Sequence, residues 1–486
     1  MLQNGEGEWV QDQGQLKSMA VTFYDDLYSE DNLHRPLYGH HSLFPSISSL
    51  HEEEIRKQYT TEDVRAALFE MKPWKAPGVD GIQTGFYQKH WEIVGGDINA
   101  EVSKSLSQFR LISLCNVMYK LVTKTIATRL KKLMSVIVRP TESSFVAERH
   151  ITDNIVIAQE AIHSMRSMKG KHGVMALKVD LEKSYDRVTH EIAKSVEARD
   201  WKPFKICKND PLLSHLFFAD DLLLFGKADV VTDENIAHVM DEFCASLGMK
   251  VSTTKTTISF SKNVKNASRR NLKELLGVRE VESLGKYLGV PLLHRRVDKN
   301  TYAGIVDKMK GKIANWTTGR MSLAGRVTLA QSVLSTMSIY AMQTAKISIG
   351  TCDYMEKVIR GFVWGKTEDK NRMSLVAWDA VTCPREEGGL GLRNLYLVNN
   401  AFGMKVCWEM FNNTNSLWGS ILCSKYKFDP HSGFDHIAPS VCTPIWCLIC
   451  NTWPDMWRNV MWAIGSGKKV MFWIHRWVLN MRSSLP

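Results

Sequence analysis

The order of apolar and polar positions cuts this chain into stretches of different character. Residues 1–58 show no strong period and read as an acidic N-terminal linker. A helix is expected to begin at Thr60, because Thr60 and Asp63 have the spacing of a capping box. Val64, Ala67, Leu68 and Met71 form one apolar stripe behind it, Pro73 ends it, and KAPGVDG (75–81) follows as a loop. Residues 113–134 repeat the helical period. Leu114, Val117, Met118, Leu121, Val122, Ile126, Leu130 and Leu133 line one face, and Lys120, Lys124, Arg129, Lys131 and Lys132 fall largely off it. A core helix with a solvated back is favoured there over direct nucleic-acid contact.

Two stretches have strand character. VMALKVDL (174–181) is an apolar run with β-branched residues that delivers Asp180 at its C-terminal end. In HLFFADDLLLF (215–225) two apolar runs are interrupted only by Asp220-Asp221, which predicts a β-hairpin with adjacent acids at its tip. A helix is expected between them, near Thr189–Ala198. Beyond residue 300 the pattern turns mostly helical, with Tyr302, Ile305, Val306, Met309 and Ile313 in one stripe and tryptophans frequent towards the C-terminus. No fixed-period repeat or low-complexity tract occurs.

The chain has 486 residues, room for two to four domains, and its 44% hydrophobic and 23% charged content is that of an ordinary soluble protein. Charge is uneven. Residues 1–50 carry a net −5, leaving +16 on the rest of a chain whose total is +11. A basic body of that size fits a polyanionic partner, although charge alone does not separate that from a merely basic soluble protein. The N-terminus lacks the form of a signal peptide and no run has the length of a membrane span, so an intracellular protein, nuclear or cytoplasmic, is expected. Its ten cysteines are scattered and disulfides are not expected. Cys442, Cys447 and Cys450, with His475 downstream, have metal-like spacing but no second ligand pair, so buried, inert thiols are the favoured reading.

The acids carry the chemistry. Two ionised carboxylates side by side repel, and burying them without a counter-charge costs several kcal/mol. Divalent metal removes that cost, and phosphoryl transfer gives the cluster a task, since paired ions stabilise the attacking and leaving oxygens of an in-line displacement. Hard oxygen donors suit magnesium better than zinc.

Asp180-x4-Tyr185 followed by FADD (218–221) resembles the catalytic palm motifs of reverse transcriptases. KAPGVDG with GFYQKHW (85–91), FRLISLCNVMYKLVTKTIATRL (109–130) and SFVAERHITDNI (144–155) resemble the fingers segments of plant LINE (non-LTR retrotransposon) polymerases. GKYLGVPL (285–292), NWTTGRMSLAGRVTL (315–329) and EEGGLGLRNL (386–395) resemble the segments that follow the palm. The resemblance covers roughly residues 55–480. It implies that Asp180, Asp220 and Asp221 hold two Mg2+ ions, with Asp180 and Asp220 indispensable. It makes Tyr185 the steric gate under the deoxyribose and Arg110 a contact to the incoming triphosphate. Lys255, in GMKVSTTKT (248–256), matches the lysine of the next palm motif, and YLGVPL would grip the primer end. Each has a plain alternative: a core aromatic, a surface charge, a solvated lysine.

The implied fold is an α/β right-hand arrangement: a fingers-like segment at 59–173, a reduced palm at 174–292, and a mainly helical C-terminal region at 293–486. The palm is expected to be an antiparallel sheet with helices on one face. The implied reaction is addition of deoxynucleotides to a primer 3′-hydroxyl. Its partners would be an RNA template, a DNA primer and deoxynucleoside triphosphates, without a membrane and with the oligomeric state open. The sequence also departs from the family. Asp180 and Asp220 are only 40 residues apart, less than half the related interval, and no Gln-Gly-Asp-Pro-type motif lies between them. A fingers stretch between GGDI (95–98) and FRLISL is shortened, Leu111 replaces a usual proline, and Ala147-Glu148 replaces a usual Pro-Gly. The resemblance also leads one to expect an upstream endonuclease and a trailing RNase H domain, neither of which is read in these residues. The alternative reading is therefore a truncated, internally deleted remnant that at most binds nucleic acid.

Overall fold

The computed structural model describes residues 2–3, 9–10, 12, 15, 48–75, 77, 80–93, 116–144, 146–170, 173–180, 192, 195–196, 198–207, 211–219, 221–247, 251–252, 254–292, 301–316, 321–366, 373–431 and 442–461; for Asp180 and 242–247 it describes the backbone only. Two short strands, β1 (Leu2–Gln3) and β2 (Trp9–Val10), pair near the N-terminus. Helix α1 (Ser49–Arg56) lies in the stretch read as linker. It buries no side chain, so there was no apolar stripe to see. A Ser48 cap and ion pairs from Arg56 to Glu52 (2.7 Å) and from Lys132 to Glu54 (2.6 Å) support it instead.

Helix α2 (Thr61–Glu70) starts with the expected Thr60–Asp63 capping box and buries Val64, Ala67 and Leu68. After α3 (Thr84–Lys89) comes α4 (Val117–Ile137), capped by Asn116, whose side chain accepts the Tyr119 N–H. Its buried face holds Val117, Leu121, Thr125 and Leu133, while Leu130 is exposed, so the apolar stripe is narrower than the sequence pattern implies. Residues 113–115 lie outside the described set. The lysines and arginine off that face bind the acids of the first two helices: Lys124 to Glu70 (2.8 Å) and Arg129 to Asp63 (3.2 Å).

Helix α5 (Ile151–Ser167) leads into a five-stranded sheet of order β4-β5-β3-β6-β7, made of β3 (Val174–Asp180), β4 (His215–Phe218), β5 (Asp221–Lys227), β6 (Thr257–Phe260) and β7 (Arg279–Glu280). Three pairings are antiparallel, but β6 and β7 run parallel, which corrects the all-antiparallel expectation. The reason is local: helix α7 (Asn266–Leu276) connects the two strands as a crossover, and a crossover returns the chain in the same direction.

Both faces of the sheet are covered, not one. Met175, Leu177, Val179, Leu222, Leu224 and Ile258 pack with Trp201 and with Ile236, Val239 and Met240 of α6 (Val230–Leu247). Val174, Ala176, Leu216, Leu223 and Phe225 face α5 and the C-terminal helices. Strands buried on both sides read as continuous apolar runs, as VMALKVD and LLLF do.

The remainder is mainly helical. A short hairpin of β8 (Lys286–Tyr287) and β9 (Val290–Pro291) precedes α8 (Ala303–Ala314), whose Tyr302, Val306 and Met309 are buried as expected. Helices α9 (Leu323–Leu329), α10 (Ile339–Met342) and α11 (Ile349–Val363) build a second core, with α12 (Trp378–Thr382) against it. Helices α13 (Leu395–Asn412), α14 (Leu417–Tyr426) and α15 (Pro444–Asn459) close over the sheet, so Cys407, Trp446 and Trp453 share one core with Leu284, Tyr287 and Leu292.

Cys442 and Cys447 form a disulfide, contrary to the expectation of inert thiols. Thr443 caps α15, so the two cysteines occupy the positions just before the cap and four residues into the helix, which a hydrophobic staple brings together. Cys450 is a buried free thiol whose pKa burial pushes up to about 11. Among the described residues no helix is long and apolar enough to cross a membrane.

Candidate active site

Strands β3 and β5 set the geometry of the acidic end. Their antiparallel register places Asp180 directly opposite Asp221, and three apolar pairs, Val179–Leu222, Leu177–Leu224 and Ala176–Phe225, carry that register back through the core. Both faces are packed, so a slip of one residue would exchange the side chains fitted to the two cores, and that packing holds the two aspartates level. Asp221 also pairs with Phe218 across the hairpin, leaving Ala219 and position 220 as a two-residue connection. Such connections need left-handed backbone, and Ala219 adopts φ +54°. The hairpin tip therefore falls where the sequence places it. The side chain of Asp180 and the whole of Asp220 lie outside the described residues.

The outer edge of the hairpin is not left open. The Phe217 N–H donates to the Thr141 carbonyl (3.0 Å), and the Ser143 N–H donates to that of Phe217 (3.4 Å). Buried Asn154 donates from Nδ2 to the Phe217 carbonyl (2.9 Å) and accepts from Ser143 Oγ (2.8 Å). The fully buried ring of His215 meets Thr141 Oγ1 (2.8 Å) and Ser214 Oγ (2.9 Å), and burial, aided by Arg139, pulls its pKa down to about 3. Thr141 and Ser143, with Asn154 of the segment SFVAERHITDNI, thus clamp the acidic hairpin. Arg149 of the same segment donates to the carbonyls of Val138 (2.9 Å), Arg139 (2.6 Å) and Glu142 (2.7 Å), tying off the end of α4.

Two tyrosines stand near Asp221. Tyr287, at the end of β8, is fully buried. Burial, then the charge of Asp221, raises its pKa. Tyr340 of α10 is half-buried and shifts the same way for the same two reasons. Its Oη donates to the Leu288 carbonyl (2.7 Å), pinning the β8–β9 turn. Leu288 (φ +47°) and Gly289 (φ +79°) form that turn. A Cβ on Gly289 would sit 3.3 Å from the Tyr340 ring, so close approach and left-handed backbone both favour glycine there. Lys178 of β3 donates from Nζ to the Lys286 carbonyl (2.5 Å), fixing the turn to the sheet. Nothing in the sequence singled out Tyr340.

Lys255 lies in the turn before β6, exposed, with its N–H on the Ser252 carbonyl (3.2 Å). Lys178 pairs with Thr257, so Lys255 sits at the end of the sheet that carries Asp180 and Asp221. Arg110 and Tyr185 lie outside the described residues. Among the described residues no three His, Cys, Asp or Glu side chains group closely enough to hold a metal, the cysteines of α15 included.

Residues 102–203 match the family model for reverse transcriptase (RNA-dependent DNA polymerase), a span that takes in α4, α5 and β3. The chain is 31% identical over 201 residues to a protein of Arabidopsis thaliana named for ribonuclease H, covering 39% of this chain and 31% of that one. It is 25% identical over 213 residues to a 149 kDa protein of the Xenopus laevis transposon TX1, covering 38% of this chain and 16% of that one. It is 28% identical over 149 residues to a mitochondrial protein of Arabidopsis thaliana, covering 30% of this chain and 94% of that one. The matched segments thus span under a third of the first two relatives. Together these similarities support a reverse transcriptase of a retroelement, at the level of family, on a mixed α/β fold.

Proposed function

We propose that this chain carries the polymerase centre of a LINE-type, non-LTR retrotransposon reverse transcriptase of the plant kind. Residues 59–173 would act as fingers, 174–292 as a reduced palm and 293–486 as the region behind it. The observation that carries the reading is the register of Asp180 against Asp221 at one sheet end, inside the reverse-transcriptase-like sequence context. Residues directly opposite in an antiparallel pair have Cα atoms about 4.5–5.5 Å apart, so their carboxylates repel unless a cation lies between them.

This donor set fits hard divalent ions. Asp180, Asp220 and Asp221 would hold two Mg2+, whose bound chemistry is charge stabilisation of an in-line displacement at the α-phosphate. The protein side of the reaction is positioning. Tyr185 would exclude a 2′-hydroxyl, Arg110 and Lys255 would contact the nucleotide phosphates, and the turn held by Tyr340 and Lys178 would seat the primer end beside Asp221. An RNA template, a DNA primer and deoxynucleoside triphosphates are the substrates.

One observation favours a second reading, a catalytically dead remnant that binds nucleic acid at most. Only residues 181–214 connect β3 to β4, too few for the template-side helix of the family together with its supports. Primer extension on an RNA template with Mg2+ separates the readings, with Asp220→Asn and Asp221→Asn as controls. Extension abolished by either change supports the polymerase. Salt-sensitive binding without extension sinks it and leaves the remnant.

A further inference from the structure

Along the β6–β7 edge of the sheet lies a cavity of about 780 Å³, lined by the last turn of α5, β6, α7 and β7. Its Phe260 is paired with Met175, five residues along β3 from Asp180 and so roughly 16 Å from the acidic end at the ordinary strand rise, while Arg279 is level with Lys178 through Thr257, two strands to the side. Its floor is apolar, made by Ile162, Met165, Phe260 and Val281. Four cations stand around it: Arg166, Lys262, Lys273 and Arg279. None of the four has an ion-pair partner among the described residues. Lys265 and Arg270 continue the positive strip along exposed α7, against Glu274 and Glu282 at the rim.

Arg269 has a different part. It donates to the carbonyls of Val264 (3.0 Å) and Ser261 (3.1 Å) and to Glu280 (3.2 Å), which fixes its guanidinium 5.8 Å from the centroid of Phe260. A guanidinium neutralised by Glu280 and held over a phenyl ring makes a π-rich stack, and nucleic-acid bases stack on both kinds of group. The edge strand β7 has only two residues, too short to recruit an extended peptide by backbone pairing.

We propose that this cavity, at the sheet edge two strands from β3, is a second nucleic-acid site that takes a single strand. A base would rest on the Phe260–Arg269 stack while backbone phosphates meet Lys262, Lys273, Arg279 and Arg166. The site needs neither metal nor nucleotide substrate, so it stands or falls apart from the polymerase reading.

The test uses the whole chain, fluorescent uridine and thymidine 12-mers, and no Mg2+ or triphosphate. Lys262→Glu, Lys273→Glu and Arg279→Glu together are expected to weaken binding more than tenfold. They should also lower the slope of log affinity against log salt by about two, at roughly 0.7 per lost phosphate contact. The corresponding glutamine variant, checked by its melting transition, repeats the measurement if charge reversal impairs folding. A 4-thiouridine strand should photocrosslink to the peptide containing Phe260. Equal loss for both strands assigns the site to single strands generally, and loss for uridine alone narrows it to RNA. Unchanged affinity and slope, or competition by polyglutamate as strong as by oligonucleotide, would overturn the proposal.

Discussion

Lys425 Nζ lies 2.6 Å from Glu160 Oε2, although 265 positions of chain separate the two residues. Glu160 is fully buried on α5 and also accepts from Tyr426 Oη (3.2 Å) and from Thr443 Oγ1, the cap of α15. One carboxylate therefore fastens the helix beneath the sheet to two C-terminal helices. Removing it leaves the largely buried Lys425 without its counter-charge. Glu160→Ala should destabilise the protein by about 3–5 kcal/mol in denaturant unfolding, and adding Lys425→Met should recover much of that loss. Additive losses would show that the pair is not coupled.

Glu148 adopts φ +65°, the left-handed region, at the position where the resemblance leads one to expect glycine. A side chain there costs about 1 kcal/mol that glycine avoids. Glu148→Gly is thus expected to raise the unfolding midpoint, against the usual destabilising effect of glycine. A lower midpoint would mean that the Glu148 side chain contributes more than its backbone conformation costs.

Asp233 is fully buried on α6, and among the described residues neither carboxylate oxygen has a hydrogen-bond partner. Burial, then Glu234 and Asp229, raises its pKa from 3.8 to about 7. Between those values the unfolded chain has released this proton while the folded one keeps it. Stability should therefore fall as pH rises from about 4 to about 7 and level off above. Asp233→Asn should remove that part of the pH dependence, leaving the variant more stable than the parent at pH about 8 by up to a few kcal/mol. Parallel pH–stability curves for the two proteins would refute the assignment.

The Tyr340 hydroxyl holds the β8–β9 turn through the Leu288 carbonyl. If that turn seats a primer, Tyr340→Phe should raise the primer KM several-fold and leave stability within about 1 kcal/mol, the worth of one hydrogen bond. Unchanged primer KM in steady-state extension would separate the turn from the reaction.

The Cys442–Cys447 bridge closes a loop of only five residues. Loop entropy then limits its contribution to about 2 kcal/mol. Cys442→Ser with Cys447→Ser should lower stability by no more than that, and a non-reducing digest of the parent should give a peptide two hydrogens lighter than its reduced form. Two free thiols at these positions would remove the bridge from the fold.

The parts of the fold legible in sequence were those whose signal is local. The Thr60–Asp63 capping box, the strand ending at Asp180 and the hairpin around Ala219 each follow from a few adjacent residues. Apart from the local Cys442–Cys447 bridge, what escaped depended on distant partners. Helix α1 has no buried face, and its acids are answered by Lys132 from α4. The second covered face of the sheet was present as uninterrupted apolar runs, yet their occupants α14 and α15 lie far along the chain. Tyr340 reaches the candidate site only because α10 packs against a turn 52 residues earlier. Of the candidate site residues, Asp221 and Lys255 are described in full and Asp180 by its backbone alone, all three at one sheet end.

Because Glu160 and the sheet are roofed by α14 and α15, the order of synthesis matters. At about 5–20 residues per second, the ribosome needs roughly a quarter of a minute to a minute to travel from Glu160 to Lys425. Throughout that interval the nascent sheet lacks its lid and presents a bare apolar surface. Premature termination within that window would release a sticky fragment, a natural client for chaperones and proteases.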